Sequence, residues 1–175
     1  MFESEAELTE LQELLDSSLA QAGKSLLAAW DVGKRLDARQ LAGFSGVRLV
    51  AVASVNSKGE PRVAPRPAAF LHGKFYLAAN ARSTTAHRLW ITPSVAVTYF
   101  ETHFLMMAHG TASFLRKGDP AFRVAAPEWK AAFRGGRDAL QGVDLFLRIE
   151  ATHLQAFAQH PESYPEAWRR RLARN

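Results

Sequence analysis

Between residues 47 and 115 the chain passes through five β-prone segments joined, with one exception, by links too short for parallel pairing. The segments are 47–55, 61–70, 75–79, 95–101 and 104–115. Turn residues separate them: Asn56-Ser57-Lys58-Gly59, His72-Gly73-Lys74 and Thr102-His103. One link is longer and polar, opening a short helix over 86–91 that stops before Pro93. Hairpin links pair neighbours antiparallel, whereas a parallel pair needs a crossover of about a dozen residues. A sixth strand is expected over 144–157, where Leu145, Leu147, Ile149 and Ala151 alternate with Arg148, Glu150 and Thr152. The order predicts a mainly β, α+β fold: six antiparallel strands in a closed or split barrel, flanked by N-terminal, connecting and C-terminal helices. It excludes a doubly wound parallel sheet.

The second segment carries Pro61, Pro65 and Pro67, each without an amide hydrogen for a central ladder. An edge or irregular strand is expected there, with backbone acceptors partly free. Upstream, Ser4 and Glu7 have capping-box spacing, and Leu8, Leu11, Leu15, Leu19, Ala22, Leu26 and Ala29 recur at helical period. They predict one amphipathic helix over the first ~35 residues, or two joined near Gly23. Its apolar stripe needs a partner, either this barrel or another subunit. Asp119-Pro120 starts a further helix that runs irregularly past Pro127 to Phe133 and ends at Gly135-Gly136. A short basic helix is expected over 165–174. The chain of 175 residues reads as one domain, with helical segment 1–43, barrel core 47–157 and tail 158–175.

Composition narrows the function. The absence of cysteine excludes disulfides, thiolate metal sites and a cysteine nucleophile, and a cytoplasmic setting is expected. No apolar run is long enough for a membrane helix, and the acidic start does not resemble a signal peptide. The net charge of +5 suits an anionic small ligand. Its cations are scattered apart from Arg169-Arg170-Arg171, so nucleic acid is not the expected partner. GxSxG, GxxxxGK[ST], HExxH and GxGxxG are all absent, and the six histidines form no helical i, i+4 pair, so no metal is expected. His109, inside a strand, reads as a hydrogen-bonded core histidine.

One segment concentrates phosphate-binding chemistry: Arg82-Ser83-Thr84-Thr85-Ala86-His87-Arg88. Hydroxyls at a helix start, beside unpaired amides and between guanidinium groups, make a phosphate cradle. A plainer reading has Ser83 simply capping the helix.

Together with the strand Leu49-Val50-Ala51-Val52-Ala53-Ser54-Val55, the turn Gly59-Glu60-Pro61, Phe75-Tyr76-Leu77 and Ser83-x-x-Ala86-His87-x-Leu89-x-x-x-Pro93 before Val95-Ala96-Val97, this resembles the pyridoxamine 5′-phosphate oxidase-like superfamily. The resemblance spans about 47–115. It implies FMN, bound between two subunits of a homodimer. Ala64, Pro65, Arg66 and Pro67 would line the flavin ring, Asn80 and Arg82 would approach the ribityl chain, and Ser83, Thr84 and Thr85 the phosphate, with Arg88 completing charge neutralisation. Where the family commonly places a lysine, this chain has Thr85, so either Arg88, Arg82 or Arg66 replaces that charge or the cofactor is bound weakly or differently. An FMN-dependent oxidoreductase on a small organic substrate is the leading expectation. A deazaflavin-dependent reductase and a non-catalytic flavin- or haem-binding dimer are the alternatives, with His87, His103 or His109 as axial candidates for haem. Arg66 is either a cation beside the ring or a solvated strand residue, and His87 either a base or a packing residue. Phe104, Leu105, Met106 and Met107 belong either to a dimer interface or to the barrel core.

Overall fold

The computed structural model describes residues 3–29, 32–44, 46–133, 140–166 and 170. Its six strands are β1 (Val47–Val55), β2 (Pro61–Leu71), β3 (Lys74–Ala79), β4 (Ser94–Glu101), β5 (Phe104–Arg116) and β6 (Leu145–Ala158). They close antiparallel in the order β1-β2-β3-β6-β5-β4. The barrel seams are unequal. β5 and β6 stay paired from Phe104↔Ala158 to Arg116↔Leu145, whereas β1 meets β4 only through residues 51–53. β2 meets β3 only from Ala68↔Leu77 to Leu71↔Lys74. Residues 61–67 of β2 therefore have β1 on one side and no strand on the other.

The N-terminal helices differ in part from expectation. α1 (Glu5–Ala20) carries the capping box, Ser4 accepting from the Glu7 amide and Glu7 accepting from the Ser4 amide. The chain breaks before Gly23, and α2 (Lys24–Ala29) follows. A third helix, α3 (Ala38–Ala42), had no apolar period long enough to announce it; Asp37 and Gln40 form its own capping box. The partner of the α1 stripe is this barrel: Leu8, Leu11 and Leu15 are buried, and the Leu154 amide of β6 donates to Ser18 at 2.9 Å.

The barrel interior is filled by rings and branched chains, with Phe44 stacked on Phe104 at 5.6 Å and edge-on to Phe70. Phe104 and Met106 are fully buried, which places them in the core and not at an interface. A second cluster lies under α5 (Pro120–Ala132), where Phe122, Ala125 and Trp129 cover Ala69, Tyr76 and Phe146. The Trp129 indole donates to the Tyr76 carbonyl at 3.2 Å. Pro127 is accommodated inside this helix, which ends at Ala132; the expected stop at Gly135-Gly136 lies outside the described residues. Most of the tail expected to be helical lies outside them too, after a 3-10 turn at Pro161–Ser163. His109 is not a core residue: its position on β5 is exposed.

Candidate cofactor site

The prolines of β2 fall on one parity. Pro67, Pro65 and Pro61 stand opposite Leu49, Ala51 and Val55, so these pairs exchange no ladder hydrogen bonds and their backbone groups point away from β1. The free edge of β2 thus presents carbonyls at 61, 63, 65 and 67 and a single amide, that of Val63. Side chains alternate across it: Ala64 and Arg66 are half-buried, while Pro65 and Pro67 lie on the exposed outer surface. The four residues expected to line a flavin ring share an edge of backbone, not a face.

Beyond the end of β3 the chain turns through Asn80-Ala81-Arg82 into α4 (Thr84–Ile91). The Asn80 side chain accepts from the Arg82 amide at 2.8 Å and donates to the Gly142 carbonyl, while Asp144 accepts from the Ala81 amide at 2.7 Å. These bonds fix the loop that presents the helix start. Ser83 is the N-cap, its hydroxyl accepting from the Ala86 amide at 3.2 Å. Ser83 therefore caps the helix, and the Thr84 and Thr85 amides remain without intrahelical acceptors.

The charge the sequence left unplaced converges on Thr85. This hydroxyl is buried, and Arg66 donates to it from β2 at 2.6 Å. Arg88, one turn further along α4, reaches the same oxygen at 3.4 Å and donates through Nε to Ser54 of β1 at 3.2 Å. Among the described residues no carboxylate lies within ion-pair distance of Arg66, Arg82 or Arg88. Two half-buried guanidinium groups are therefore held side by side by hydroxyls without neutralisation, beside the positive end of a helix. Arg82 is exposed on the same loop, and His87 faces solvent, which removes the packing reading of its position. Ser54 is a site residue beyond those expected, although with Arg48 it is one of the two polar interruptions of an otherwise apolar strand. Asn80 and Arg82, which the resemblance implies as ribityl neighbours, do different things: Asn80 uses its side chain to shape the loop, and Arg82 is exposed on it.

The other concentration of charge is structural. Burial alone would raise the Glu150 carboxyl, but hydrogen bonds from Lys74, Arg148 and Ser113 outweigh it and hold Glu150 below the usual carboxylate range. Burial pushes the neighbouring Tyr76 phenol up. This network crosses the β3–β6–β5 seam, away from the β2 edge.

Two hollows adjoin the site. One of about 510 Å³ lies over β1, β4 and β5 and includes Ser54 in its wall. Another of about 260 Å³ lies on the outer face between Leu49, Val63, Pro65 and Phe100.

No protein-family model and no curated protein matches the sequence. Solved structures do match. A conserved hypothetical protein, Rv2991 from Mycobacterium tuberculosis, superposes with a TM-score of 0.60 at 17% identity, over 78% of this chain and 93% of that one. An FAD-binding protein from Mesorhizobium loti gives 0.51 at 13% identity, over 66% and 88%. An F420 reductase gives 0.50 at 12%, over 66% and 94%. At such identities the likeness concerns the fold, and it agrees with the closed six-stranded barrel. The fold the chain shares with these structures is a closed, six-stranded antiparallel barrel of the split-barrel kind.

Proposed function

We propose that this chain binds FMN and acts as an FMN-dependent oxidoreductase on a small organic substrate. The observation that carries the reading is the pair of unneutralised guanidinium groups, Arg66 and Arg88, on the buried Thr85 hydroxyl at the start of α4. A phosphate monoester is a dianion with oxygens for both forks and for the free Thr84 and Thr85 amides. The residues present fit such a group: cations, hydroxyls and helix amides meet where a lone lysine would otherwise stand. The edge of β2, rich in acceptors, suits the donor N–H of a flavin's pyrimidine end. When bound, the flavin would supply hydride transfer. Arg66 anchors the phosphate end and Thr85 sets the angle between the two arginines. Ser54 fixes the Arg88 side chain.

The outer face of β1, β2 and β4 supports a homodimer. Leu49, Val63 and Phe100 are exposed by 68%, 71% and 70%, with Pro65 and Pro67 beside them, and contiguous apolar area of this kind marks an interface. A second copy seated here would border the free edge of β2, so the cofactor site would lie between subunits.

A deazaflavin, with its longer acidic tail, is the second reading; exposed Arg82, lacking a carboxylate partner among the described residues, favours it. His87, His103 and His109 are all exposed, and no observation favours haem. The test is titration of the purified chain with FMN, FAD and the deazaflavin F420, followed by absorbance and fluorescence. FMN saturates at one equivalent per chain, and Arg66→Ala weakens it by about tenfold or more, the effect of losing a charged hydrogen bond. Equal binding by Arg66→Ala and the parent chain would overturn the assignment of the cradle.

A further inference from the structure

The hollow of about 510 Å³ has a construction of its own. Its floor is cut into the outer surface by small residues, Ala53 beside Ala96 and Ala96 beside His109. Its far wall is the one irregularity of the long β5–β6 ladder. His109 pairs with His153 and Gly110 with Ala151, so Thr152 is the extra residue of a β-bulge. Gly110 permits the bulge: a Cβ there would stand 2.0 Å from the Glu150 carbonyl oxygen, so β5 approaches β6 this closely only as glycine. Thr152 then donates to the His109 carbonyl at 3.3 Å, which steadies the backbone that carries the imidazole.

The chemistry of the lining is selective. Among the described residues, no Asp, Glu, Lys or Arg contributes to it. Its polar groups are the hydroxyls of Ser54, Ser94, Thr111 and Thr152 and the His109 ring. Among the described residues, the His109 ring and the Ser94 and Thr111 hydroxyls make no hydrogen bond, so their bonding capacity is unspent at the rim of the hollow. Ser54 accepts from Arg88, which leaves its own hydrogen to donate. Small-molecule sites combine an apolar surface of this volume with a few such groups.

We propose that this hollow binds an uncharged, flat organic molecule bearing a ring carbonyl or hydroxyl, with His109 as its hydrogen-bonding and selectivity residue. A charged ligand would lose water here without gaining an ionic partner, whereas an imidazole can donate to a carbonyl or accept from a hydroxyl. The site is separate from the phosphate cradle and shares with it only Ser54, so it stands whether or not a flavin binds.

The test uses the full chain, without and with saturating FMN, and follows its amide resonances on addition of chromone, a neutral bicyclic ketone, or of 1-naphthoate, its charged counterpart in size. Chromone is expected to shift the Ala53, Gly110 and Thr111 amides saturably, and naphthoate to bind at least about tenfold more weakly. Ala96→Leu, on the outer face, raises the floor of the hollow and weakens binding while the remaining amide spectrum is unchanged. His109→Ala weakens chromone about fivefold, as for one neutral hydrogen bond, and His109→Gln restores part of the loss. The proposal is overturned if chromone produces no saturable shift, or if its shifts map to Arg66 and Arg88. It is overturned equally if Ala96→Leu and His109→Ala bind as the parent does, or if the amides no longer respond to chromone at concentrations where the chain is dimeric, which would mean that a second copy fills the hollow. None of these results depends on FMN affinity.

Discussion

Thr85 carries little chemistry by itself, yet it is where two arginines from different elements meet. Its oxygen is buried and accepts from both Arg66 and Arg88. Thr85→Val keeps the shape and removes the acceptor. The expected result is a fall in FMN affinity of about tenfold, with a stability loss of about 1 kcal/mol, read by fluorescence titration and thermal melting. Glu150 illustrates a different use of charge. Its carboxyl is held below its ordinary value of 4.5, so its ionised form is better stabilised in the folded chain than in the unfolded one. That contribution is fully present above the ordinary value and is lost as pH falls through the lower, folded one. Glu7 behaves alike, its carboxyl held down chiefly by the Ser4 amide. The melting temperature should therefore hold steady from neutral pH to about 4.5 and drop below it, and Glu150→Gln should drop less steeply. An acid limb of unchanged slope in that variant would place the sensitive group elsewhere.

At the scale of elements, the site is a consequence of the short β2–β3 seam. β3 pairs with β2 only over residues 68–71, residues 61–67 of β2 keep β1 as their one strand neighbour, and α4, which follows β3, lies against β1. Gly110 shows how tightly the opposite side is drawn. Gly110→Ala must push β5 off the Glu150 carbonyl, and a loss of about 2–3 kcal/mol is expected, roughly 5–10 °C in melting temperature for a chain of this size. Much of this was legible in the sequence because it rests on local chemistry: hairpin turns, strand alternation, the Ser4 capping box, and prolines that can sit only on an edge. The hydroxyl and arginine segment was legible for the same reason. What escaped depends on distant partners. Arg66 and Thr85 are 19 residues apart and meet only because β2 overshoots β3. The role of Ser54 needs α4 lying against β1, while the exposure of His109 follows from the strand parity that buries Phe104, Met106 and Ala108. α3 was missed because five residues are too few to show a period.

For the whole molecule, one barrel presents two unlike surfaces. The side covered by α1 and α5 is finished within the chain, since Leu8, Leu11, Leu15 and Trp129 are all buried. The outer face of β1, β2 and β4 is not, with Leu49, Val63 and Phe100 in the open. Phe100→Glu is expected to convert a dimer to monomers in sedimentation velocity while the far-ultraviolet spectrum stays the same; a monomeric parent chain would refute the proposed interface. The cradle for a dianion is the claim on which the functional reading turns, and comparison of FMN with riboflavin isolates it, because the two ligands share a ring system and differ by the phosphate. The account predicts that FMN binds at least about a hundredfold more tightly than riboflavin, as expected for two or more charged hydrogen bonds, and that Arg66→Ala with Arg88→Ala abolishes the difference. Equal affinity for the two ligands in the parent chain would contradict it.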